Sequence, residues 1–253
     1  MSINKISQAA EFRVDWSTDP IDGGAVALLS FDDPDRWHAS AYHAAAVDEI
    51  LADHPNARVR VRVADRAHPG GGWSPYMSYV ALGADDLYAA PESPTRILDA
   101  PLDAAHPHID AVRTWLLLAL RAGYGDKLST TSAELWLNSA PLSGRWTSLV
   151  ALEDERPVGH LTLAPGVLRA EAIPIRYSEI IDTLVDLTDR GRRRLVESAL
   201  VARAGELAAE RNEDLLGSVV HPDGPDGPGW RIVDRLVAQG WRHIETIWTR
   251  EVA

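Results

Sequence analysis

The chain has 253 residues, 45% of them hydrophobic and 25% charged, and carries a formal net charge of -12. That balance supports a packed core in one large or two small domains and argues against a disordered chain. The acidity excludes nucleic-acid binding across the whole surface, and the absence of cysteine excludes disulfides, thiolate nucleophiles and Cys-based metal sites.

Residues 1–20 read as an irregular lead-in without the apolar segment of a secretory signal. No apolar run is long enough to span a bilayer. A cytoplasmic protein with no membrane or nucleic-acid partner is therefore expected. Ala25–Phe31 has the apolar run of a buried strand. Asp35–Ala52 places Ala45, Val47, Ile50 and Leu51 near one helical face, and His54-Pro55-Asn56 ends that helix. Arg58–Val63 alternates strictly, as a half-buried strand with one arginine face does. Past the glycine-rich turn at Pro69–Gly72, Met77–Leu82 reads as its hairpin partner. Ala90–Pro94 is the expected linker, dividing an N-terminal α+β part, 1–93, from a second domain, 94–253.

The second part opens with a strand at Arg96–Pro101 and a helix at Ile109–Ala122 closed by Gly123, followed by a short helix near Thr131–Asn138. Trp146–Leu152 and Pro157–Leu163, joined by Glu-Asp-Glu-Arg, form a hairpin. A strand at Glu179–Val185, a long helix from Arg194 to Arg211, a strand at Asp214–Val220, a helix at Trp230–Gln239 and a strand at Ile244–Thr249 complete the order. Two antiparallel strands before one strand-helix-strand crossover give a mixed α/β, α+β-like sheet rather than a doubly wound one.

Four of the five residues Arg190–Arg194 are arginine, and they stand where a strand hands over to a long helix. Basic side chains oppose the positive end of a helix dipole, so a bound polyanion such as a pyrophosphate would explain them. A solvated helix start balanced by Asp186, Asp189 and Glu197 explains the run equally well.

The surrounding order resembles the GCN5-related N-acetyltransferase family over about Arg145–Arg250. The resemblance is carried by the hairpin RWTSLVALEDERPVGHLTL, the strand and turn TLVDLTDRG, the helix RRRLVESALVARAGELAAERN, the strand DLLGSVV and the Gly-aromatic helix end VDRLVAQGW. It implies an acyl-CoA N-acyltransferase fold with a mainly antiparallel sheet, and acetyl-CoA or another acyl-CoA as cosubstrate. Leu184, Val185 and Asp186 would lie along the pantetheine arm, and Arg190, Gly191, Arg192, Arg193, Arg194 and Leu195 would hold the pyrophosphate. The family's two loop glycines fall on Arg193 and Leu195, or on Leu195 and Glu197, so arginine side chains would take more of the phosphate. The family's C-terminal Tyr acid falls on Leu236.

Transfer to the amine of a small molecule or peptide needs a base, for which Asp182, Glu179 and His160 are the candidates. The N-terminal part would be a degenerate copy, a lid or a homodimer surface. A catalytically inactive binding module and an acyltransferase fed by a carrier protein are the alternatives.

No metal is expected. His106, His108 and Asp110 share no face of a regular element and read as a capped loop before a helix. Gly70–Gly72 lacks the helix and Lys-Ser/Thr of a P-loop. The His221–Gly229 stretch reads as a turn-rich surface connection, and no Gly-x-Ser-x-Gly elbow exists. The Arg58, Arg60 and Arg62 face suits either an anionic partner or a solvent-facing strand edge.

Overall fold

The computed structural model describes residues 5–6, 12–19, 23–31, 40–64, 66, 68–69, 72–83, 86, 95–124, 130–139, 144–168, 176–221 and 224–250. The expected linker Ala90–Pro94 and the turn glycines 70 and 71 lie outside them. The strands are β1 (Lys5–Ile6), β2 (Phe12–Thr18), β3 (Ala25–Phe31), β4 (Arg58–Ala64), β5 (Ser74–Leu82), β6 (Arg96–Pro101), β7 (Thr147–Glu153), β8 (Arg156–Leu168), β9 (Arg176–Val185), β10 (Asp214–Val220) and β11 (Arg242–Arg250). The helices are α1 (Ser40–Asp53), α2 (Ile109–Tyr124), α3 (Thr130–Ser139), α4 (Arg190–Glu210) and α5 (Pro228–Ala238). No helix among the described residues is long and apolar enough to cross a membrane. The chain packs as two compact units, Met1–Val80 with Val219–Ala253, and Ala81–Ser218.

In the first unit the strand order is β1-β2-β3-β4-β11-β5. β2 pairs antiparallel with β3, β3 parallel with β4, and β4 antiparallel with β11. Alternation sends Phe12 and Val14, Ala27 and Leu29, and Val59, Val61 and Val63 into one core, where Ala46, Val47 and Ile50 of α1 and Trp248 of β11 meet them.

Two expectations are corrected here. Residues 12–18 are a strand, not a lead-in, because Phe12, Val14 and Trp16 alternate with polar residues and line up on Phe31, Leu29 and Ala27. β4 and β5 are not hairpin partners. β11 lies between them, and its Trp248 stands opposite Val61 in the core. β4 is therefore no edge strand, and its arginine face is covered progressively along the strand: Arg58 keeps 43% of its side chain exposed, Arg60 17% and Arg62 7%.

In the second unit the order is β10-β9-β8-β7-β6, antiparallel except for β9 with β10. Asp154 and Glu155 have φ of 49° and 61° and close the β7–β8 hairpin in two residues, a geometry matched to strand twist. Val150 and Leu152 of β7 pack with Leu102, Val112 and Leu116 and with Leu137 of α3. The alternating residues Leu149 and Ala151 are fully buried on the other face, where α4 packs along β6 to β9. α4 starts at Arg190 and not at Arg194, because Asp189 caps it: its φ and ψ are -69° and 116°, and its Oδ1 accepts from Arg192 N at 2.9 Å. The arginine run is thus the first turn of the helix rather than a turn before it.

Candidate active site

β9 is the element on which the candidate residues meet. Its antiparallel register with β8 runs Gly159↔Val185, His160↔Leu184, Leu161↔Thr183, Thr162↔Asp182, and then jumps to Leu163↔Ile180. Ile181 is the extra residue of a β-bulge. The parallel register with β10 runs from Tyr177↔Asp214 to Ile180↔Gly217, while β9 continues to Val185. Bulge and end of parallel pairing therefore coincide. Beyond them residues 181–185 keep β8 on one side and have no registered β10 partner on the other. Leu184 and Val185 lie on this stretch, and Asp186 leaves it with its N–H donating to Val158 O at 2.8 Å.

Four residues later the first turn of α4 begins. Asp189 takes the Arg192 N–H, and Arg193 N donates to Asp189 O at 2.9 Å, which leaves the Arg190 and Gly191 N–H groups at the helix mouth. The arginines divide their tasks. Arg192 Nη2 reaches Glu153 Oε2 of β7 at 2.5 Å. Arg193 turns back, and its Nε and Nη2 donate to Leu187 O at 2.9 and 2.5 Å. Arg190 and Arg194 are exposed and have no ion-pair partner among the described residues. Leu195, 43% exposed, sits beside them.

Of the three candidate bases, two come together. His160 of β8 is fully buried, stacked on the Trp115 ring of α2 at 5.2 Å and 17°. Its Nε2 lies 3.0 Å from Asp182 Oδ2, at ion-pair distance though not aligned as a hydrogen bond, and its Nδ1 is 3.4 Å from Thr162 Oγ1. Asp182 keeps 14% of its side chain exposed, so it is the member of the pair that solvent reaches. Glu179 stands across the bulge, registered with Ala164, and is half-buried.

Nearby, His106 is 4% exposed, and its Nδ1 accepts from His108 N at 3.1 Å, which assigns the neutral ring's proton to Nε2. Burial lowers its pKa most, His108 and His160 add to that, and Asp103 opposes it. His106 and His108 lie in the turn that leads into α2, and Asp110 is in the first turn of that helix. No cluster of metal-ligating side chains is present among the described residues.

Trp115 and Glu153 were not foreseen as parts of this region, and Asp189 was foreseen as a charge neighbour of the arginines but not as the cap of α4. For Asp189 a signal existed, an acidic residue immediately before a long apolar-periodic helix. For Trp115 and Glu153 none did, because their partners lie 45 and 39 positions away in the chain.

No family sequence model and no curated protein sequence matches the chain. Solved structures do. A GCN5-related N-acetyltransferase from Kribbella flavida superposes with a TM-score of 0.52 at 15% identity, covering 99% of this chain and 90% of that one. One from Sphaerobacter thermophilus gives 0.53 at 18% identity, covering 95% and 76%. A tandem GNAT protein from the clavulanic acid biosynthesis pathway gives 0.50 at 16% identity, covering 95% and 78%. The chain, with its mixed, mostly antiparallel sheet, has the acyl-CoA N-acyltransferase fold.

Proposed function

We propose that the chain is an N-acyltransferase that moves an acetyl or other acyl group from a CoA thioester to an amine of a small molecule or peptide. The observation that carries this reading is the end of β9. A bulge at Ile181 and the loss of parallel pairing after Ile180 leave a backbone edge that runs straight to the mouth of α4. An amide-bearing arm can hydrogen-bond to such an edge, and a phosphate can sit at such a helix mouth. Leu184, Val185 and Asp186 would line the arm. The Arg190 and Gly191 N–H groups, with the guanidiniums of Arg190 and Arg194, would meet the phosphates. Arg192, Arg193 and Leu195 would shape the same turn.

Asp182 is the proposed base, because it alone of the pair is open to solvent. His160, held by Trp115, fixes its carboxylate rather than touching substrate. Glu179, beyond the bulge, would orient the acceptor amine. The unpaired Ile181 backbone is a donor of the kind that steadies charge growing on a carbonyl oxygen.

Calorimetry with CoA and acetyl-CoA tests the reading. Micromolar binding weakened by Arg190→Ala with Arg194→Ala, together with thiol release across an amine panel, is the expected result. No binding in the folded protein overturns it. The Asp189 carboxylate at the helix mouth and the Glu153 carboxylate on Arg192 favour a second reading, a binding module or an acyltransferase fed by a carrier protein. Binding without thiol release, or acyl loss only from a carrier-bound thioester, would identify it.

A further inference from the structure

The ring of His160 is held in plane and in orientation by different neighbours. Trp115 stacks on it at 17°, which fixes the plane of the imidazole. Stacking does not choose between the two orientations within that plane, because a half-turn of the ring about its Cβ–Cγ bond leaves the plane where it was. Such a half-turn would put carbon where Nδ1 stands and would withdraw Nε2 from Asp182.

Orientation is set at the edges of the ring. Nε2 lies 3.0 Å from Asp182 Oδ2, and Nδ1 lies 3.4 Å from Thr162 Oγ1. The sheet places Thr162 for this contact. It stands two residues after His160 on β8, so both side chains leave the same face. It is also the register partner of Asp182 on β9, in the last pair before the bulge at Ile181. Thr162 is fully buried. Its register partner on β7, Ser148, is buried as well, and Ser148 Oγ makes no hydrogen bond among the described residues. The Thr162 hydroxyl is thus directed to His160 and not along the row to Ser148.

The proton count decides which way the bond runs. A neutral imidazole has one N–H and one acceptor nitrogen. With the proton on Nδ1, the Nε2 lone pair would face a carboxylate oxygen at 3.0 Å, a repulsion that water does not screen around a fully buried ring. The proton therefore belongs on Nε2, and Nδ1 is left to accept from the Thr162 O–H.

We propose that Thr162 is a positioning residue for the base: its hydroxyl donates to His160 Nδ1 and so keeps the Nε2–H turned to Asp182 Oδ2, leaving Oδ1 for the acceptor amine. The inference rests on reading Asp182 as the base of acyl transfer.

The test combines the imidazole nitrogen spectrum of the full chain at neutral pH with steady-state thiol release from acetyl-CoA. In the wild type, His160 should carry its proton on Nε2, and Nδ1 should resonate as a hydrogen-bonded acceptor. Thr162→Val is nearly isosteric, and it should move Nδ1 to the position of an unbonded nitrogen. It should also lower kcat about 10-fold at unchanged KM for acetyl-CoA. Thr162→Ser, which keeps the hydroxyl, should restore both. A wild-type proton on Nδ1, or on both nitrogens, overturns the proposal, and so does a Thr162→Val protein with unchanged spectrum and kcat. Spectra as expected but no thiol release from the wild type with any amine would instead sink the acyl-transfer reading and leave the Thr162–His160 bond standing. Should Thr162→Val fail to fold, the wild-type spectrum and Thr162→Ser decide the question.

Discussion

Two strand-helix-strand crossovers, β3-α1-β4 and β9-α4-β10, have the same plan and opposite endings. Each is preceded by an antiparallel partner, β2 or β8, and each pairs in parallel over a short register, Val26↔Arg58 to Leu29↔Val61 and Tyr177↔Asp214 to Ile180↔Gly217. β3 then ends at Phe31, whose ring lies 6.2 Å from that of Phe12, its register partner. β9 instead bulges and runs on to Val185, opposite Gly159. A methyl group added at Gly159 would lie 2.9 Å from Leu184 O and from Val185 Cγ2. One crossover is sealed by two aromatic rings. The other is clamped to its hairpin partner by a glycine, and its opposite edge is left without a registered strand. The same topology yields core in the first case and a candidate site in the second, and the residues at the last register pair make the difference.

Substitutions at those ends should separate the two. Gly159→Val drives a branched side chain into the β9 backbone, with a stability loss of about 3 kcal/mol or more in urea unfolding. Phe12→Leu, a milder change in a packed apolar end, should cost about 1 kcal/mol. Equal losses would erase the contrast. Asp182→Asn should cut acyl transfer about 100-fold, equivalent to about 2.7 kcal/mol, with little change in CoA affinity. His160→Gln should cost less, and a loss equal to that of Asp182→Asn would make His160 more than a positioning residue.

The first unit should also respond to acid. His221, 4% exposed and hydrogen-bonded to Ser78 Oγ at 2.8 Å, has a pKa lowered from 6.5 to about 4, by burial first and by His243 second. The ring is neutral when folded and takes a proton more readily when unfolded, so its effect is nil above pH 6.5. Stability falls as the pH drops from about 6.5 to about 4, by about 3 kcal/mol, and no further below that. A pH series of unfolding midpoints should show this slope, and His221→Gln should flatten it. The smallest effect expected is at the mouth of α4. Asp189→Asn keeps a capping oxygen and removes a negative charge, so CoA binding should tighten by a few-fold at nearly unchanged stability. Unchanged or weaker CoA binding would place the phosphates elsewhere.

The fold was largely legible because its elements obey simple periods. Ala25–Phe31, Arg96–Pro101 and Asp214–Val220 occur as strands with the bounds their patterns imply. What escaped depends on partners distant in sequence. Nothing in Arg58–Val63 announces that β11, rather than the nearby β5, pairs with it, since either strand offers apolar alternation. The bulge at Ile181 is invisible in Glu179–Val185, because it exists only relative to β8. The pairing of His160 with Asp182 follows from that register and from Trp115, a ring on another element. The paired arginines of β4 were expected at a solvent-facing edge because the sequence does not tell which strand flanks them.

The place of β11 also constrains how the protein is made. Its residues 245–250 pair with residues 59–64, so Val59 meets Arg250 across about three quarters of the chain. A ribosome emits β4 long before β11 exists, and through that interval β4 has no strand on the side where β11 belongs. The valines that meet Trp248 wait uncovered by it, and the first unit closes only after the second has been synthesised. The N-terminal segment of the first unit is thus completed by a strand made after the second unit.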